Sequence, residues 1–171
     1  MGYYVDILNS DLVIPEKNQA EILKRWKNLN NPKNNHLKQG GSWSGGKQAQ
    51  AWFSWMPADY DKTAQNIETI LELMGFAYEK QDNGNIKVTG YDSKTGQEKL
   101  FFDTIEDLIP AGKTVEWHGE DGTLFNWFFD GKKLHEVSPT QSRKLAETVQ
   151  IEKSDNLIDP FNKTPHRRYR L

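Results

Sequence analysis

The chain has 171 residues, no cysteine, 12% aromatic residues and a net charge of −2. That length supports one domain able to bury a sizeable core, and the missing thiols exclude disulfide scaffolds and cysteine-based zinc sites. The charged fraction of 27% argues against a wholly disordered chain, and with hydrophobic content at only 36% the core is expected to be built on Trp, Phe and Tyr.

Tyr3–Leu8 reads as a strand, and Leu12–Ile14 extends it past the Asn9-Ser10-Asp11 break. Pro15 and Glu16 open a helix whose apolar face is expected at Ala20, Leu23, Trp26 and Leu29, ending before Pro32. Residues 30–48 read as a long polar loop, and Ala49–Met56 as a central strand with at least two of Trp52, Phe53 and Trp55 in the core. A second helix follows Asp59 or Asp61, with Ala64, Ile67, Ile70, Leu71 and Met74 on its buried face and Gly75 at its exit.

Phe76–Gln81 and Ile86–Tyr91 form a hairpin about Asp82–Asn85, and Asp92–Gly96 is expected to be a second hairpin turn. A short helix falls within Leu100–Ile109, started near Asp103-Thr104 and stopped by Pro110. Thr114–His118, Thr123–Phe129 and Lys132–Val137 make a three-stranded ribbon with Asp-Gly turns at 121–122 and 130–131. A final helix runs from Ser138-Pro139 to about Val149, leaving a single α+β domain over residues 1–150 and a tail over 151–171. The fold expected is a mostly antiparallel sheet of six or seven strands with two main helices on one face.

Charge is uneven along the chain. Residues 161–171 hold Lys163, Arg167, Arg168 and Arg170 and no acid, so −2 less these four charges leaves −6 for residues 1–160. An acidic body is a poor general nucleic-acid binder, but the tail, through Arg167 and Arg168, could touch an anionic partner.

The densest stretch is Gly40–Met56, GGSWSGGKQAQAWFSWM. Gly41, Gly46 and Lys47 have the spacing of a phosphate-binding loop, yet Gln48 stands where Ser or Thr would hold magnesium, no buried strand precedes it and no helix follows. The stretch is better read as a glycine loop presenting Trp43 and Lys47 to a partner.

Two-residue turns in the ribbon would align Trp117, Asn126 and His135 on one face and His118, Phe125 and Glu136 on the other, with Glu116 beside His118. His118 and Glu136 would then lie roughly 10 Å apart, too far for a direct acid–base pair. Glu116 and His118 could share one bound group, but two ligands are too few for a metal site. No nucleophile elbow or Cys–His pair is present, so no catalytic residue, metal or cofactor is assigned.

Met1-Gly2-Tyr3, Ser42-Trp43, Phe53-Ser54-Trp55, Gly90-Tyr91, Gly119-Glu120-Asp121-Gly122 and Asp130-Gly131-Lys132 together resemble a set of small uncharacterised α+β proteins of bacteria and their phages that open Met-Gly-Tyr. The similarity covers residues 1–137 and rests mostly on turn chemistry. It implies a phage or mobile-element setting and a protein that binds host machinery.

The function expected is therefore non-enzymatic binding of a host protein, such as inhibition of a host defence protein, with Trp43, Lys47, Glu116, Trp117, His118, Arg167 and Arg168 as candidate contacts. Two other readings stand beside it. One is a small-molecule or nucleotide-binding protein or weak hydrolase using Lys47, Glu116 and His118. The other is single-stranded nucleic-acid binding through exposed Trp and the basic tail. Without a signal-like start or an apolar span, a cytoplasmic protein with no membrane partner is expected.

Overall fold

The computed structural model describes residues 2–162. Its main sheet has seven strands, all paired antiparallel: β1 (Tyr4–Ser10), β2 (Val13–Ile14), β5 (Phe76–Lys80), β6 (Ile86–Lys94), β7 (Lys113–Gly119), β8 (Leu124–Phe129) and β9 (Leu134–Val137). The spatial order is β2-β6-β1-β7-β8-β9, with β5 on β6. A separate two-stranded sheet is formed by β3 (Gly40–Ser44) and β4 (Lys47–Trp52). The α+β class and the antiparallel sheet expected from the sequence are both present.

Helix α1 (Glu16–Leu29) buries Ile22, Trp26 and Leu29, one face at four- and three-residue spacing. The stripe differs from the expected one. Ala20 is exposed and Leu23 only half-buried, because Trp26 sets the face and Ile22, one turn before it, is the residue stacked beneath. The expected second helix is split into α2 (Tyr60–Thr63) and α3 (Ile67–Met74). Asn66 causes the break: its side chain accepts from the Thr69 N–H at 2.9 Å and starts a new helix. Ala64, Ile67, Ile70, Leu71 and Met74 are nonetheless all buried.

The core is aromatic. Its largest fully buried side chains include Trp26, Trp117, Trp127, Tyr60, Phe53, Phe101 and Phe102. Phe101 and Phe102 come from α4 (Glu98–Asp103), which lies earlier in the chain than the Asp103-Thr104 start expected for this helix. Most of these rings meet edge-on, the arrangement their quadrupoles prefer. Polar ring atoms are mostly served: Trp26 Nε1 donates to the Phe101 carbonyl at 2.9 Å and the Tyr60 hydroxyl to the Trp26 carbonyl at 2.7 Å.

Asp92–Gly96 is not a hairpin turn. Strand β6 runs on through Lys94 and pairs with β1, matching Tyr4 to Lys94 and Asp6 to Asp92. The chain then enters α4, and the buried Glu98 carboxylate accepts from the Gly96 N–H at 2.7 Å. Helix α5 (Pro139–Asn162) runs past the end expected near Val149, since no Gly or Pro stands between Pro139 and Pro160 to stop it there. It lies against β8, where Phe128 and Val149 are buried outside the main aromatic core, so the sheet is covered on its second face as well.

Candidate functional site

The polar loop expected over residues 30–48 is mostly ordered structure: a 3-10 turn at Pro32–Leu37, then the β3–β4 hairpin. Gly45 and Gly46, with φ of 58° and 77°, form its two-residue turn, the left-handed pair that matches the twist of the flanking strands. Lys47 thus opens a strand and not a helix, which removes the local geometry of a phosphate loop. Among the described residues the strands pair only with each other, so neither outer edge meets another described strand. Residues 43–50 are all exposed, Trp43 is 71% exposed, and Lys47 is the hairpin's one charged side chain.

The reading of Ala49–Met56 as a central strand with two core aromatics is corrected. Strand β4 ends at Trp52. Phe53 is buried, Trp52 is half-buried, and Trp55 is 53% exposed. Alternation fails because the backbone turns at 53–56, with the Met56 N–H donating to the Phe53 carbonyl and Trp55 at φ 66°. Trp55 Nε1 donates to the Thr95 carbonyl at 3.2 Å. The Lys94 ammonium lies 5.5 Å from the ring centres of both Trp55 and Tyr4, an exposed cation–aromatic sandwich.

The hairpin is rooted by one side chain. The buried Gln97 amide accepts from the backbone N–H of Gln39 (3.0 Å), just before β3, and of Ser54 (3.1 Å), two residues past β4, and donates to the Leu37 carbonyl at 2.6 Å. Lys38, beside this root, donates to the Asn30 carbonyl and Asn35 Oδ1, and burial pushes its ammonium below the usual lysine range. No sequence pattern announces Gln97; it emerges only when the two ends of the hairpin meet α4.

The ribbon candidates separate. Trp117 is 1% exposed and packs against Tyr91, Phe125 and Trp127, so it is a core residue and makes no surface contact. The first turn is one residue longer than expected and the second starts one residue later, which shifts the β7–β8 register by one and the β8–β9 register by two. Between β7 and β8 the loop has three residues, Glu120-Asp121-Gly122, closed by the Gly119 N–H donating to the Thr123 carbonyl. Between β8 and β9 the turn is Gly131-Lys132, since Asp130 N–H donates to the Lys133 carbonyl. Trp117 therefore faces Phe125, Glu116 faces Asn126, and Phe128 faces His135.

A slip of one residue exchanges the faces of a strand. Phe125 and Glu136 move to the core side, where Trp127 Nε1 donates to Glu136 Oε2 at 3.2 Å. Glu116 and His118 stay on the opposite side, and the expected row of His118, Phe125 and Glu136 does not exist. His118 Nδ1 lies 3.1 Å from Asp6 Oδ1 across the strands. Among the described residues no group of three or more His, Asp or Glu is arranged to hold a metal ion. Lys47 sits on a different sheet from Glu116 and His118 and does not line the cleft that Glu116 lines. Arg167 and Arg168, with the last part of the expected tail, lie outside the described residues. No helix among the described residues is long and apolar enough to cross a membrane.

Comparisons with protein-family models, with curated proteins and with solved structures find no match to this chain.

Proposed function

We propose that the chain is a non-enzymatic binding protein that captures a host protein through the β3–β4 hairpin, with Trp43 as anchor and Lys47 as the flanking charge. The observation that carries this reading is Trp43, 71% exposed on a hairpin whose two edges pair with no other strand among the described residues. An isolated two-stranded hairpin is marginal in water. Unpaired edges invite a further strand, and natural proteins usually block them with charges or proline. Here Lys47 is the one charge and proline is absent from residues 40–52.

These features suit an extended segment of the partner adding to one edge while Trp43 fills a pocket on that partner. The resemblance to Met-Gly-Tyr proteins of bacteria and phages supplies the setting: a phage or mobile-element factor that restrains a host defence protein.

Capture from host lysate, followed by titration of the purified partner, tests it. Wild type should retain one stoichiometric protein. Trp43→Ala should weaken that purified complex by at least about 2 kcal/mol, roughly thirtyfold. Equal affinity for Trp43→Ala and wild type would overturn the assignment of the hairpin.

A further inference from the structure

The outer face of the sheet carries a second feature, independent of the hairpin. A cleft of about 440 Å³ lies between the first two turns of α5 and strands β1, β7 and β8, a volume within the range of small-molecule sites. Its polar lining includes Asn9, Asp11, Glu116, Asn126, Ser142 and Arg143.

Two backbone features assemble this lining. The β1–β7 register shifts between Ile7 and Asn9, so Leu8 is an extra, bulged residue. Before the bulge Ile7 faces Trp117 on the core side. After it Asn9 faces Glu116 on the outer side, where plain alternation would have turned it inward. The three-residue turn between β7 and β8 then sets Asn126 opposite Glu116. Asn9, Glu116 and Asn126 consequently form one row across three adjacent strands.

The second observation is hydrogen bonding. Six polar or charged residues are buried among the described residues: Ser10, Asn30, Gln97, Glu98, Asn126 and Ser142. The first four have side-chain hydrogen bonds within the protein. Asn126, 6% exposed, and Ser142, 4% exposed, have none to a described residue, and both line this cleft. Neither is among the described buried polar atoms left without a partner, which are Asn30 Oδ1 and Trp117 Nε1, so the polar atoms of both open onto the cleft, where one molecule from solution can bond them together. Glu116 and Arg143 likewise have no ion-pair partner among the described residues, while one oxygen of Asp11 accepts from the Thr114 N–H at 2.6 Å.

We infer that this cleft binds a small zwitterion of the α-amino-acid class. Glu116, flanked by Asp11, takes the ammonium group. Arg143 takes the carboxylate, which suits its planar fork of donors. Asn126 and Ser142 complete the hydrogen bonding of the bound molecule, and Ala146 and Pro139 supply the apolar wall.

The test is a titration of the full chain with L-serine and L-glutamine, followed by amide chemical shifts. Saturable shifts at Asn9, Thr114, Glu116, Asn126 and Ser142 are expected for at least one of the two. Glu116→Gln and Arg143→Gln should each weaken binding by about tenfold or more. The N-acetyl derivative, which lacks the ammonium, and the carboxamide, which lacks the carboxylate, should lose as much. Absence of saturable shifts at these positions up to millimolar concentration overturns the site. Undiminished binding of either capped derivative overturns the zwitterion assignment. Neither outcome bears on the hairpin, whose residues are not in the cleft.

Discussion

The β3–β4 hairpin and the β7–β8 ribbon are built from similar parts. Each is an antiparallel pair with a glycine-containing turn and Trp side chains on its strands. Yet Trp43 is 71% exposed and Trp117 is 1% exposed. The difference lies in what covers them. Phe76 and Phe102 pack on the inner side of β7–β8, and α5 lies on the other. On β3–β4 only the root, Gly40–Ser42 with Ala51 and Trp52, is half-buried, and no described residue covers 43–50. The same aromatic residue type thus holds the fold together in one place and is available to a partner in the other, and only the neighbouring elements decide which.

The largest effect that can break this comparison is truncation of the two kinds of Trp. Trp117→Ala should cost about 3–5 kcal/mol in urea unfolding, through the cavity left among its ring neighbours, whereas Trp43→Ala should stay within about 0.5 kcal/mol. Comparable losses would mean that Trp43 is packed. Next comes Gln97→Ala. It leaves the N–H groups of Gln39 and Ser54 without their acceptor and should cost about 1–3 kcal/mol. Faster amide exchange should be confined to residues 39–54 and their contacts with α4. An unchanged hairpin would show that other contacts root it.

A finer comparison sets Trp117 against Trp127. The Trp117 Nε1 is buried without a hydrogen-bond partner, whereas Trp127 Nε1 donates to Glu136. Trp117→Phe removes an unsatisfied donor along with some packing. It should therefore destabilise less than Trp127→Phe, by about 1 kcal/mol; the reverse order, read from urea midpoints, would contradict the assigned hydrogen bonding.

The smallest effect is a surface ion pair. Asp107 accepts from Arg25 Nη1 at 2.6 Å and Nη2 at 3.2 Å, and this guanidinium holds its carboxyl below the usual aspartate range. A depressed folded-state pKa means that the stabilisation is complete above the unfolded value, near 4, and is lost as pH falls through the folded value. Because Asp107 is half exposed, the pair should be worth under about 1 kcal/mol. Asp107→Asn should remove that part of the acid dependence and leave stability above pH ~6 lower by the same small amount.

The antiparallel α+β layout, the aromatic core and the buried face of α3 were legible because periodicity and turn residues act locally. Ile67, Ile70, Leu71 and Met74 announce their face by spacing alone. Three features were not. Residues 40–48 carry Gly, Ser and Gln without alternation, since neither face of the hairpin tip meets a core, so no pattern marks them as strand and only the end of β4, Ala49–Trp52, was read as one. The Asp-Gly pairs located both ribbon turns, but the first is one residue longer than expected and the second sits one residue later, and the extra residue in the first moved Phe125 and Glu136 across the sheet. The bulge at Leu8, which turns Asn9 outward, depends on how β1 is shared between β6 and β7. Such pairing between distant segments leaves no local trace. Within the candidate sites, Trp43 and Glu116 could be named beforehand. Their settings, a free-edged hairpin and a polar cleft, depend on those three features.

Hydrogen exchange measured with and without the captured host protein tests the role of the hairpin most directly. In the free chain, amides of residues 40–52 should exchange far faster than those of β7 and β8, as expected for an uncovered two-stranded pair. In the complex the same hairpin amides should become protected, those flanking Trp43 most strongly. Protection appearing elsewhere on the sheet, with residues 40–52 still exchanging freely, would contradict the assignment of this hairpin as the docking element.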